Sequence, residues 1–168
     1  MSNRPAATEG RYISLVSEDD IVSALENQSK ETEKLLRSIG EPKAAFRYAP
    51  DKWSIKTLVR HFTDTERIFA YRILAIARGE KQPLPGFEEN DYAAASSADE
   101  RKFADLIDEY RAVRAATLAL LRGLSADAWE RTGTASDRKF SVRAIAFNTL
   151  GHERHHLKVL REKYGVTS

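Results

Sequence analysis

Residues 141–164 read SVRAIAFNTLGHERHHLKVLREKY. Val142, Ile145, Thr149, His152, His156 and Val159 recur every three or four positions, which on an α-helix draws one seam. Ser141 stands where an N-cap is wanted. The seam begins apolar and then presents two imidazoles one turn apart. A histidine in a core position must be neutral and hydrogen-bonded, or must coordinate something, because an unpaired buried polar group costs roughly 1–3 kcal/mol. One such histidine is commonly a satisfied core residue. Two on one seam ask for a shared partner. The spacing predicts a helix over 141–164 that offers His152 and His156 to a divalent metal.

Working outward, three further helices are predicted over 18–39, 54–78 and 98–122. The first carries Ile21, Ala24, Leu25, Gln28, Thr32, Leu35 and Ile39 on one stripe and stops at Gly40 and Pro42. The second is capped by Ser54 and turns Leu58, Phe62, Phe69, Ile73 and Ile76 inward. The third follows Ser97-Ala98-Asp99-Glu100, a capping-box pattern with Ser97 as the cap. Its stripe is Phe103, Leu106, Ile107, Tyr110, Val113, Thr117, Leu120 and Leu121, and Gly123 ends it.

The connections read as an extended lead-in over 10–17, a loop over 44–50, and a helical turn over 125–131 with Trp129 inward. Residues 132–139 are polar and turn-rich, and no strand pair is evident. Gly79 to Ser96 holds Pro83, Pro85 and Gly86 and forms a long crossover loop, a length that in compact domains often marks function. The expected architecture is all-α: one domain over 1–168, four main antiparallel helices in a bundle, and a long crossover between the second and third.

His61 lies three residues after Leu58 and beside Phe62, at the inward edge of the second helix. Taken alone it reads as a half-buried histidine bonded to a carbonyl. Beside the late pair it becomes the natural third ligand. His155 sits about 100° around the helix from His156 and reads as a surface residue. The stretch 152–156 also satisfies H-E-x-x-H, the zinc-protease helix in which the glutamate is the general base. That chemistry commonly takes a third ligand downstream and a sheet edge for extended peptide. Residues 157–168 hold no histidine, and no strands are evident. Glu153 therefore stands as a carboxylate behind the ligands or a base on water, or equally as an exposed helix glutamate.

Composition narrows the function. The chain has 168 residues, a formal net charge of +2, and scattered rather than clustered basic residues, which disfavours nucleic acid as a partner. No apolar run is long enough for a membrane span, and residues 1–10 lack the apolar core of a secretory signal. With no cysteine, disulfides, thiolate ligands and a protein-borne thiol nucleophile are excluded, and a cytoplasmic location is expected. Trp53, Trp129, Phe62, Phe69 and Phe103 read as packing rather than as a base-stacking platform.

Trp53-Ser54 followed by His61, the loop Gly86-Phe87-Glu88-Glu89-Asn90-Asp91-Tyr92, and the closing 152–156 segment together resemble the DinB-like superfamily. The resemblance runs from about the first helix to Arg161. It implies a four-helix bundle with a three-histidine divalent metal site, carried here onto His61, His152 and His156. Zinc or nickel leads as the metal, with iron or manganese as alternatives. It also implies a small-molecule substrate, a homodimer, and kinship with transferases that use a low-molecular-weight thiol such as bacillithiol, mycothiol or glutathione.

Three neutral imidazoles leave a bound metal its full charge, which acidifies a bound water or thiol. The leading expectation is a metal-dependent, thiol-dependent S-transferase or a hydrolase. The alternative is a non-catalytic metal-binding stress-response module. Arg60, Arg67, Arg72 and Tyr92 are candidates for binding the rest of a substrate or thiol.

Overall fold

The computed structural model describes residues 4–6 and 10–167. Most of the polar stretch 1–10 therefore lies outside the described residues. Four long helices form the bundle: α1 (Ile21–Arg37), α3 (Ile55–Ala77), α5 (Phe103–Arg122) and α7 (Val142–Tyr164). Short helices α2 (Glu41–Ala44), α4 (Glu89–Ala95) and α6 (Ala126–Glu130) sit in the connections. The expected caps form: Ser54 Oγ accepts from the Thr57 amide and Ser141 Oγ from the Ala144 amide, each worth roughly 1 kcal/mol. Asp20 does the same for α1 through the amides of Val22 and Ser23.

In cross-section each long helix packs mainly on two others. α1 packs on α5 and α7, and α3 packs on α5 and α7. The expected antiparallel arrangement needs correction. Along α3, Thr57 bonds Asp99 in the turn just ahead of α5, and then Arg60 bonds Glu109, Glu66 bonds Arg114, and Leu74 shares a groove with Leu120 on α5 itself. Residue numbers rise together on both helices, so α3 and α5 run parallel. The chain must return along the bundle before α5 can start, and this is why the crossover is long. α3 and α7 are antiparallel: Trp53 lies by Tyr164, His61 by His156, and Phe69 by His152.

The crossover carries more structure than a loop. Leu84 pairs with the strand β1 (Thr132–Ala135), and α4 follows. β1 and β2 (Arg138–Ser141) form an antiparallel hairpin with Thr132 opposite Ser141 and Ala135 opposite Arg138. These strands were not expected. At four residues each, without apolar alternation, they carry little pattern. Their turn residues Ser136 and Asp137 both have positive φ, 48° and 59°, as the tightest hairpin connection requires.

Three smaller expectations also change. The lead-in contains a 3-10 turn at Ile13–Leu15 rather than being extended throughout, with Ile13 and Val16 buried. Gly40 and Pro42 stop α1 but also start α2. Ser97 is not a helix cap: its left-handed backbone (φ 49°) feeds a 3-10 turn, and α5 begins later, at Phe103. Glu41 supplies the missing cap from another element, its Oε2 accepting from the Phe103 amide at 2.8 Å.

The core divides into two apolar halves. One gathers Ile21, Leu25, Ile73, Leu121, Ile145 and Phe147; the other gathers Leu36, Ile55, Val59, Leu106, Leu157 and Leu160. Between them runs a polar waist, a layer where each long helix turns polar side chains inward: Gln28 and Thr32 from α1, His61 and Glu66 from α3, Arg114 and Thr117 from α5, His152, Glu153 and His156 from α7. Burying such groups is unfavourable unless each finds a partner, and the waist is where function is to be sought.

Candidate metal centre

The α3 half of the waist brings the three histidines together. His61 Nε2 lies 3.2 Å from His152 Nε2, and His156 Nε2 lies 3.0 Å from the same atom. One nitrogen from each ring lies within 4.8 Å of the other two. All three side chains are buried. Nitrogens that share one tetrahedral zinc at about 2.0–2.1 Å lie about 3.3 Å apart, close to both Nε2 spacings, so the donor set fits a single divalent ion. Among the described residues no fourth histidine or carboxylate joins the group.

The electrostatics favour neutral imidazoles, the form a metal needs. Burial, helped by the charge on His155, pushes His61 down to about 4. Burial and the neighbouring His61 push His152 down to about 3. His156 is driven below the usual imidazole range by the same causes.

Packing holds the rings in place. Trp53 lies 4.8 Å from the His61 ring, and Tyr12 meets His152 edge-on at 5.2 Å. Tyr12 reaches that position because α7 has Gly151 beneath it: a Cβ there would stand 2.1 Å from the Tyr12 carbonyl oxygen. A metal-bound imidazole ordinarily donates through its second nitrogen. For His156 that atom, Nδ1, is buried without a partner, so ring contacts rather than a hydrogen bond orient this side chain. His155 is half-buried, stacks beside Tyr12 and His156, and stands outside the three-nitrogen cluster.

Glu153 goes elsewhere. It is 2% exposed, and its carboxylate accepts from Thr32 Oγ1, from Tyr110 Oη at 2.8 Å and from Arg114. Arg114, 1% exposed, also forks onto Glu66 with two 2.8 Å bonds. This Glu66–Arg114–Glu153 chain fills the α5 half of the waist and escaped the sequence reading. A signal was present: Arg114 falls four residues after Tyr110 and three before Thr117, and Glu66 four after Phe62 and three before Phe69, all in phase with apolar stripes.

Fold and site together define a helical-bundle protein with a buried three-histidine cluster open to a metal. The chain belongs to the DinB superfamily, whose family model matches residues 24–160, as the resemblance at Trp53-Ser54, His61 and 152–156 implied. Among solved structures it is similar to YfiT from Bacillus subtilis, described as a probable metal-dependent hydrolase with an unusual four-helix bundle topology. The match has TM-score 0.77 at 14% identity and covers 89% of this chain and 88% of that one. It is similar to a mycothiol-dependent maleylpyruvate isomerase (TM-score 0.70, 14% identity, 93% of this chain), of whose length it spans 64%. It is similar also to the DinB-like protein YjoA from Bacillus subtilis (TM-score 0.62, 23% identity, 86% of this chain and 89% of that one). At these identities the likeness establishes the fold. No curated protein matches the chain. No helix among the described residues is long and apolar enough to cross a membrane.

Proposed function

We propose that the chain is a metal-dependent enzyme, a thiol-dependent S-transferase or a hydrolase, acting on a small molecule at His61, His152 and His156. The observation that carries this reading is the convergence of three buried imidazole nitrogens with no fourth histidine or carboxylate beside them among the described residues. Structural zinc sites are closed by four protein ligands, whereas three ligands leave a position for water or substrate. That contrast favours an enzyme over the stress-response module. Zinc or nickel, both suited to imidazole, leads as the metal, with iron or manganese behind.

A divalent ion held there would supply Lewis acidity and lower the pKa of a coordinated water or thiol. The chain's own residues do the rest. His61, His152 and His156 are kept neutral by burial. Trp53, Tyr12 and Phe69 wall the cluster and fix the rings. Without cysteine in the chain, a thiol nucleophile must come from a small cosubstrate, and the mycothiol dependence of one structural neighbour supports that class. The hydrolase described for the other supports water as the nucleophile. Glu153 acts as a positioning residue for α7, since protein donors already occupy its carboxylate. A homodimer and a cytoplasmic location belong to the same reading and rest on the family resemblance and the cysteine-free composition.

The test is elemental analysis of untagged protein, followed by turnover assays with ester, amide and electrophilic substrates, with and without bacillithiol, mycothiol or glutathione. The expected result is one metal per chain, lost in His61→Ala and His156→Ala, with turnover that follows the metal. Substoichiometric metal in the wild type, unchanged in His156→Ala, overturns the metal reading. Full metal with no turnover under any condition favours the non-catalytic module.

A further inference from the structure

The arginines singled out in the sequence separate sharply in the structure. Arg60 and Arg67 both bond Glu109, and both also pair with Asp64. Arg72 differs. It is 6% exposed, and its Nη2 donates to two neutral acceptors, the Pro85 carbonyl and Ser136 Oγ, each at 2.9 Å. Among the described residues no carboxylate pairs with it. Burial alone acts on its pKa, downward, with no nearby anion to offset it. A guanidinium carries five N–H donors. Among the described residues only Nη2 finds acceptors, which leaves the donors on Nε and Nη1 for a ligand.

Arg72 lines a cavity of about 300 Å³ between α3 and the crossover, walled by Tyr71, Leu84, Pro85, Phe87 and Tyr92. The volume is at the lower end for a small-molecule site and suits a single-ring compound. The walls are aromatic and aliphatic. The Phe87 and Tyr92 rings stand 5.2 Å apart, and the Arg72 guanidinium lies over Phe69. Phe69 in turn touches the His152 ring, with centroids 6.0 Å apart, so one aromatic side chain separates this cavity from the histidine cluster. A buried cation without a counter-charge is costly, and a forked guanidinium is the group best matched to a carboxylate or phosphate.

We infer that this cavity is a binding site for a small planar organic anion, whose carboxylate or phosphate pairs with Arg72 and whose ring lies against Phe87 and Tyr92. The inference stands apart from the metal reading, because neither the residues nor the charge it uses belong to the three-histidine cluster.

Calorimetric titration of the purified protein with benzoate, phenyl phosphate and the neutral benzamide tests it. At least one of the two anions should bind saturably and at least tenfold more tightly than benzamide, and the tighter of the two names the acid group. Arg72→Gln should bring that anion down to the benzamide level. Tyr92→Ala, at a half-exposed wall position, should weaken anion and amide alike by severalfold while leaving the fold intact, and it decides the matter if Arg72→Gln does not fold. His156→Ala should retain anion binding. Equal affinity for benzamide and both anions, wild-type affinity in folded Arg72→Gln, no effect of Tyr92→Ala, or loss of binding in His156→Ala would each overturn the inference. The last outcome would place the anion on the metal instead.

Discussion

His152 and Glu153 are consecutive in the chain and, about 100° apart around α7, serve different neighbours. His152 Nε2 meets His61 and His156 towards α3, while the Glu153 carboxylate takes donors from Thr32 of α1 and from Tyr110 and Arg114 of α5. One helix therefore carries both the histidine pair and a buried ionic anchor.

That division predicts separable losses. Arg114→Met leaves Glu66 and Glu153 buried without a cation and should cost about 3–5 kcal/mol in urea unfolding. Glu153→Gln keeps the side-chain shape, weakens charge-assisted bonds, and should cost about 1–3 kcal/mol. Metal content in Glu153→Gln should stay at the wild-type level. If that variant lost its metal while keeping its stability, the positioning role would be wrong.

A second prediction concerns acid. Burial opposes the charge on Glu109, but hydrogen bonds from Arg101 and Arg67 and the charge of Arg60 outweigh it and hold its carboxyl down to about 2. A carboxylate held low when folded adds stability above its unfolded pKa, and that gain is lost as the pH falls from about 4.5 towards 2. With solvent screening of this partly exposed cluster allowed for, Glu109→Gln should cost on the order of 1–2 kcal/mol at pH 7. The gap between variant and wild type should close below pH 4. Urea melts at several pH values measure it, and a gap independent of pH would contradict the assignment.

The two tryptophans offer an optical test. Trp53 sits against His61, whereas Trp129 packs beside Arg143 in the other apolar half. Adding nickel to metal-stripped protein should quench fluorescence in Trp129→Phe and leave Trp53→Phe nearly unchanged. A response carried by Trp129 would place the metal elsewhere.

Gly151 gives the fourth prediction. A side chain there collides with the Tyr12 backbone, so Gly151→Ala should lift the lead-in off α7 at a cost of about 1–3 kcal/mol. Limited proteolysis should then cut ahead of Ile21, while the metal, held by other residues, stays bound. An unchanged digestion pattern would show that the segment adapts.

The sequence made some of this legible and hid the rest for identifiable reasons. The long helices and the histidine seam announce themselves because 3.6-residue periodicity is local, and Ser54 and Ser141 mark helix starts by chemistry that acts within one turn. The relative direction of α3 and α5 is a tertiary fact with no local signature; only the length of the crossover hinted at it. The hairpin stayed hidden because its strands are short and its turn, Ser136-Asp137, lacks the glycine that usually marks such a connection. The Glu66–Arg114–Glu153 chain was missed because a charged residue on an apolar stripe is commonly assigned to the surface, and only pairing makes it tolerable inside.

The parallel course of α3 and α5 has a consequence for how this scaffold can diversify. All three histidines come from α3 and α7, which are locked by the core at either end. The return segment that the topology demands supplies Leu84, Pro85, Phe87 and Tyr92 to the cavity alongside α3. Apart from Leu84, which packs into the core, the residues of this stretch can thus change with little effect on the bundle's packing, while the three-histidine cluster is left as it was.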